Sequence, residues 1–181
     1  MIKDIPEIET ERLLLRLPQK EDVPAMVEHL NHWESVRYTA TFQHPLLYDD
    51  ASNRIKAIHR ALENGSVIYS LIHKSDHQWL GFCGLTKIDK RADLGYILGR
   101  SFWGKGFMRE AGTVLIGTTF RLQWFDIIVA ETFAQNIASQ NVLKALGFKK
   151  RRDILCRSSA RGGEFPGYEF VLTREDWKKR P

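Results

Sequence analysis

DLGYILGRSFWGKGFMREA, residues 93–111, decides how the rest of this chain is read. Gly99, four intervening residues, Gly104 and Lys105 follow the G-x-x-x-x-G-K-[ST] pattern of a nucleotide-phosphate loop, but Gly106 stands where a Ser or Thr hydroxyl should hold magnesium. Phe102 and Trp103 are bulky for a loop that must close tightly on a triphosphate, and no clear hydrophobic strand ends in the aspartate a magnesium ion requires. A triphosphatase is therefore a poor reading. What remains is an anion cradle in which glycines let the backbone approach closely. Phe107, Ala111, Val114, Leu115, Thr118 and Leu122 recur at three- and four-residue spacing, so a helix opens at the loop and points its N-terminal amides at the glycines. A pyrophosphate suits such a cradle without any metal.

Working outward, the same patterning gives a mixed α/β chain. Residues 12–17 read as a first strand and 22–31 as a helix marked by Val23, Met26, Val27 and Leu30. A second helix is expected near 50–63, then strands at 67–73 and 79–88 divided by the turn-like Lys74-Ser75-Asp76-His77. Asp93–Leu98 is a strand running straight into the loop. Beyond the loop helix, 126–133 reads as a strand, Ile137–Leu146 as a short helix stopped by Gly147, and 148–156 and 167–173 as the last strands. No repeat or linker divides the 181 residues, so one domain spanning 1–181 is expected, with a mixed sheet and helices on both faces.

Composition limits the function classes. The N-terminal stretch has acids where a signal peptide needs a basic head, and its apolar run, Leu13–Leu15, is too short to span a bilayer, so a cytoplasmic location and no membrane association are expected. Cys83 and Cys156 lack metal-ligand spacing and read as reduced core thiols; no metal site is suggested. The net charge of +5 lies wholly in residues 149–181, which carry 10 basic and 5 acidic side chains, densest at Lys149-Lys150-Arg151-Arg152. With no interleaved aromatic stacking motif, that run reads as a charged strand edge rather than a nucleic-acid site.

The quoted stretch resembles the GNAT acyltransferases, whose pyrophosphate loop has the form [QR]-x-x-G-x-[GA]. Gly104 and Gly106 match its glycines, and Ser101 replaces the leading Gln or Arg. The longer match, through Gly95, Tyr96, Trp103, Lys105, Glu110 and Ala111, resembles the subgroup of ribosomal-protein N-terminal (Rim-type) acetyltransferases. AQNIASQNVLKALGF, residues 134–148, resembles a second element of that subgroup through Asn136, Ser139, Val142, Leu143 and Gly147-Phe148, with the lysine at 144 one position early. TERLLLRLPQKED and YEFVLTREDW resemble the subgroup's two ends, so the likeness spans nearly the whole chain.

The resemblance implies a mixed, mostly antiparallel central sheet with two splayed parallel strands, here about 93–99 and 127–133, and acetyl-coenzyme A as cosubstrate with no metal. It places the pantetheine arm against backbone groups of Ile97, Leu98 and Gly99, and the pyrophosphate at Trp103, Gly104, Lys105, Gly106, Phe107 and Met108. Asn136 is both a candidate pantetheine ligand and a natural helix N-cap. Ser139 is the candidate proton or hydrogen-bond donor to the departing thiolate, because Leu143 stands where other branches carry a tyrosine. A carboxylate is expected to accept the amine's proton. Glu110 is one candidate and Glu131 another, and for each the structural-partner reading stands ahead of the catalytic one.

The implied activity is direct acetyl transfer to an amine, most readily the α-amine of a protein such as a ribosomal protein. A polyamine, an amino acid or an aminoglycoside are the small-molecule alternatives, a non-catalytic acyl-coenzyme A or RNA-associated binding module is the alternative outside catalysis, and a homodimer stays open. The two segments expected to wall the acceptor site, 32–45 and 157–167, hold only Glu34 and Glu164 as acids against Arg37, Arg157 and Arg161. Such walls lack the acidic lining that a polycation requires and favour a peptide.

Overall fold

The computed structural model describes residues 5–180, and its frame is one eight-stranded sheet in the order β1-β2-β3-β4-β5-β6-β8-β7. The strands are β1 (Ile8–Glu9), β2 (Leu13–Arg16), β3 (Val67–His73), β4 (Trp79–Ile88), β5 (Arg91–Leu98), β6 (Ile127–Phe133), β7 (Lys149–Ser158) and β8 (Gly163–Thr173). Neighbours are antiparallel except β5 and β6, which run parallel. The helices are α1 (Val23–Leu30), α2 (Trp33–Val36), α3 (Tyr48–Glu63), α4 (Phe107–Arg121), α5 (Ile137–Ala145) and α6 (Arg174–Lys178).

Strand alternation sorts the apolar side chains into two cores. Val67, Tyr69 and Leu71 of β3, Ala92 and Leu94 of β5, Ile128 and Ala130 of β6 and Phe170 and Leu172 of β8 meet Phe107, Ala111 and Leu115 of α4 and Leu143 of α5. Ile72, Phe82 and Ile97 face the other way, against Val23, Met26 and Leu30 of α1 and Ile55 and Ile58 of α3. Helices therefore cover both faces, as the patterning predicts. Burial of these side chains is the main stabilising term of the fold. Where α1 begins, Asp22 is buried beneath a bidentate Arg16, with contacts of 2.6 and 2.9 Å, and accepts from Ser70 Oγ at 2.7 Å, which ties the helix to β2 and β3.

The predicted strands at 67–73 and 79–88 occur with those bounds, and the loop helix runs from Phe107 to Arg121. The last hairpin is longer than predicted, because β7 reaches Ser158 and β8 starts at Gly163. Its outer part alternates around Arg157 and Glu164 rather than a hydrophobic run, so periodicity understates it. β1, α2 and α6 leave no mark in the patterning, because segments of two, four and five residues are too short to show a period. Both cysteines are free and buried, and burial pushes the Cys83 thiol up to about 12. No helix among the described residues is long and apolar enough to cross a membrane.

Candidate active site

β5 and β6 are neighbours only at their starts. Their ladder holds Ala92 opposite Ile128 and Asp93 opposite Val129, and beyond those pairs the strands part. On its other edge β5 stays paired with β4 to Leu98, and β6 stays paired with β8 to Phe133, so the opening is a wedge inside an otherwise continuous sheet. Backbone groups facing such a wedge have no ladder partner, and an extended ligand can supply one.

Which groups face the wedge differs from the expectation that Ile97, Leu98 and Gly99 do so together. A Cβ built on Gly81 of β4 would sit 2.0 Å from the Ile97 carbonyl oxygen, so that carbonyl points away from the wedge. Gly99 donates its N–H to Leu80 O at 2.9 Å and accepts from Phe102 N at 3.0 Å. By alternation the wedge is lined by the backbone of Tyr96 and Leu98, and the Leu98 carbonyl already accepts from Trp103 Nε1 at 2.9 Å.

The wedge leads into the glycine loop. Arg100–Phe102 make one 3-10 turn, Trp103 follows, and Gly104 and Gly106 adopt φ of +73° and +81°, left-handed conformations that favour glycine. A side chain at Gly104 would meet no protein atom, so within the protein only the backbone conformation favours glycine there. Lys105 projects into solvent, whereas Phe107 and Met108 bury their side chains and leave their first-turn amides exposed to an anion.

Arg12, in the turn between β1 and β2, fastens this loop. It donates to Lys105 O at 3.0 Å and lies 4.5 Å from the Phe107 ring. Its guanidinium also meets Glu110 at 2.6 and 2.7 Å, and the same carboxylate accepts from the Arg12 amide at 2.9 Å and from Thr10 Oγ1 at 2.5 Å. Burial pulls the Glu110 pKa up, but those hydrogen bonds and the Arg12 charge outweigh it and hold the group below its ordinary value. Glu110 is thus placed as an ionised anchor between α4 and the β1–β2 turn.

Across the wedge, Ser139 lies in the first turn of α5, and Asn136 caps that helix by accepting from Ser139 N at 3.1 Å. Ser139 Oγ shares a 2.8 Å hydrogen bond with the Tyr96 hydroxyl, which also donates to Ser139 O at 3.2 Å. Burial raises the Tyr96 pKa, so the phenol stays protonated. Tyr96 belongs to the Gly-Tyr pair of β5, and only the fold brings it to Ser139, 43 positions away.

The opposite face of the wedge is acidic. Asp93 of β5, Glu131 of β6 and Glu169 of β8 alternate away from the α4 core, and the Glu131 and Glu169 backbones are directly paired. Burial, then the Glu131 charge, with Glu169 adding less, push Asp93 up to about 6 against the opposing pull of Arg91; its Oδ1 has no hydrogen-bond partner among the described residues. Cys156 joins this face beside Gly167, and burial, Glu131 and Asp93 raise its thiol to about 11. Glu169 is held differently: it is 1% exposed and receives two 3.1 Å bonds from Arg152, with Arg151 at 3.4 Å. Lys149 and Lys150 meet Asp176 and Asp153, each at 2.6 Å, so the basic run is largely matched by local carboxylates.

The walls expected at 32–45 and 157–167 meet above this face: Ser158 Oγ donates to Arg37 O at 3.0 Å and Ser159 Oγ to Ala40 O at 2.7 Å. Tyr38 sits against Phe133 of β6, ring centroids 5.6 Å apart, whereas Phe42 is buried under Arg54 and Trp33 lies at the surface.

A family model described as an acetyltransferase (GNAT) domain matches residues 12–149. The chain is a GNAT acetyltransferase. It is 31% identical over 172 residues to an uncharacterised N-acetyltransferase, p20, of Bacillus licheniformis, covering 93% of this chain and 96% of that one. It is 27% identical over 161 residues to the ribosomal protein uS5-alanine N-acetyltransferase of Escherichia coli, with 81% of each covered. A solved structure of a ribosomal L7/L12 α-N-protein acetyltransferase in complex with coenzyme A shares the fold, with a TM-score of 0.80 at 19% identity over 91% of this chain and 95% of that one. GNAT enzymes use acetyl-coenzyme A, and the open wedge and the free amides at the start of α4 suit its extended arm and its pyrophosphate. Asp93 is a candidate that the sequence pattern does not single out; its signal is an acid in an apolar strand two residues before Gly-Tyr in the quoted stretch.

Proposed function

We propose that this GNAT enzyme transfers acetyl from acetyl-coenzyme A to the α-amine of a protein N-terminus. One arrangement carries the reading: a carboxylate with a raised pKa, Asp93, and a hydroxyl pair, Tyr96 and Ser139, lie on opposite faces of the sheet at the same wedge. Acetyl-coenzyme A, when bound, supplies the thioester carbon at which the new C–N bond forms as the C–S bond breaks. Tyr96 and Leu98 hold the arm through backbone groups; Gly104, Lys105, Gly106 and the amides of Phe107 and Met108 hold the pyrophosphate. Asp93, with Glu131 beside it, draws in the ammonium group and accepts its proton. Ser139, with Tyr96 behind it, donates a hydrogen bond to the leaving sulfur as charge builds there. Asn136 fixes Ser139 by capping α5, and Glu110 acts as an anchor and not as the base. Holding the amine in line contributes further, up to roughly 7–11 kcal/mol in well-oriented systems.

The protein acceptor is supported by the acceptors of the named ribosomal-protein relatives. Incubation with acetyl-coenzyme A and equal concentrations of a peptide panel or spermidine, followed by mass spectrometry, tests it. Acetyl on a peptide α-nitrogen is the expected result. Efficient spermidine acetylation without any peptide product overturns the acceptor assignment.

A further inference from the structure

Arg161, at the tip of the β7–β8 hairpin, is a cation set in an aromatic frame. Its guanidinium carbon lies 3.4 Å from the Phe165 ring centroid, 5.7 Å from Phe133 and 5.8 Å from Tyr38. The frame is fixed from behind: Arg161 N donates to Ser158 Oγ at 3.3 Å, and Ser158 in turn donates to Arg37 O. Yet Nη1 is shielded from solvent without a hydrogen-bond partner, and among the described residues no carboxylate lies within 4.0 Å of this guanidinium. Arg37, stacked on Tyr38 at 4.5 Å, is paired with Glu34 at 3.0 Å but leaves its Nε shielded and unpartnered. A guanidinium is always charged, and this one has no carboxylate partner among the described residues, so the frame leaves a cation for which the protein supplies no counter-charge.

Phe133, which Arg161 overlooks, is two residues beyond Glu131 on the same face of β6. The acceptor region therefore presents carboxylates at the wedge, where the amine enters, and an unpaired guanidinium at its wall. We propose that Arg161 is a specificity residue selecting N-terminal peptides with an acidic side chain, Asp or Glu, within their first three residues. The assignment rests on the peptide reading above and names the class of peptide. It also accounts for the wall's composition: Arg161 repels a polycation and attracts a carboxylate.

The test compares kcat/KM for peptides that differ only by Asp or Asn at position one, two or three, using the full-length enzyme and saturating acetyl-coenzyme A. At one of these positions Asp is expected to exceed Asn by about tenfold or more, the usual worth of a shielded charge-assisted bond, with the gain in KM. In Arg161→Gln the ratio should fall towards one while the KM for acetyl-coenzyme A is kept. Should that variant misfold, the wild-type ratios still decide. Peptides acetylated with Asp and Asn equivalent at all three positions overturn the role of Arg161 and leave the peptide reading standing. A higher kcat/KM for a free amino acid than for every peptide, or no peptide acetylation at all, overturns both.

Discussion

The hydroxyls of Tyr96 and Ser139 meet at 2.8 Å beside the β5–β6 wedge, so one hydrogen bond joins the splayed strand β5 to the capped helix α5 and offers a path for a proton. If that path serves the leaving sulfur, removing either hydroxyl should weaken an interaction that strengthens only as charge builds there. Ser139→Ala is expected to lower kcat by about 10- to 100-fold, with a much smaller change in the affinity for acetyl-coenzyme A. Tyr96→Phe should lower it less, because the serine keeps its own proton. Steady-state kinetics checks both, and an unchanged kcat in Ser139→Ala reduces the serine to a helix residue.

The loop's design predicts a ligand preference. Gly104 and Gly106 hold left-handed φ values and Gly106 leads directly into α4, but no hydroxyl stands at position 106 for a magnesium ion. Coenzyme A without magnesium should raise the melting temperature, and magnesium-ATP should raise it much less. A thermal shift series settles the order. Gly104→Ala tests the glycine requirement: the new side chain meets no protein atom, so a stability loss of about 1 kcal/mol in the free enzyme reports the φ of +73°, and any further loss of coenzyme A affinity reports the close approach of the pyrophosphate to the backbone.

Much of this was legible in the chain, for particular reasons. The loop helix could be placed because Phe107, Ala111, Val114 and Leu115 keep a helical period, and the strands at 67–73 and 79–88 because a polar turn separates two apolar runs. Asn136 could be read as an N-cap from its position before Ile137. The orientation of backbone groups could not: whether Ile97 or Leu98 faces the wedge depends on the register against Gly81, which is a property of pairing and not of either strand. Nor does the sequence bring Glu110 to Arg12, 98 positions away, or Tyr96 to Ser139. A carboxylate inside a catalytic-looking motif reads as a base until its partners are known.

Glu110 accepts hydrogen bonds from Thr10 and from both the backbone and the side chain of Arg12, and its pKa is lowered in the fold. Its contribution to stability is present at pH values above the ordinary glutamate range and is lost as pH falls through the lowered value. Glu110→Ala should cost about 1–3 kcal/mol by leaving Arg12 and the Thr10 turn unpaired, and it should loosen the loop through the Arg12 contact to Lys105 O. Denaturant titration measures the stability, and the pH profile of kcat/KM separates anchor from base. An anchor's removal lowers stability and coenzyme A affinity but keeps the acidic limb of the profile.

Asp93 has the opposite sign, and that makes its two roles measurable together. Burial first, and the Glu131 charge second, disfavour its ionised form, raising the pKa to about 6 from an ordinary value of 3.8. As a base it must be ionised, so kcat/KM should fall as pH drops through about 6, and Asp93→Asn should lose both that limb and most of the activity, by about 100-fold or more. For stability, a native carboxyl with a raised pKa binds its proton while the unfolded one has released it. Between roughly pH 4 and 6 the fold therefore gains stability as pH falls, and above pH 6 it carries the full cost of a confined charge. Asp93→Asn removes that charge, so at pH 8 the inactive variant should be more stable than the parent, by about 2 kcal/mol once solvent screening is allowed for. Chemical denaturation of both proteins at pH 5 and pH 8 checks this. The variant's advantage should shrink at the lower pH, and a destabilised Asp93→Asn at pH 8 would show that the carboxylate is held by favourable contacts and is not poised to take a proton from the amine.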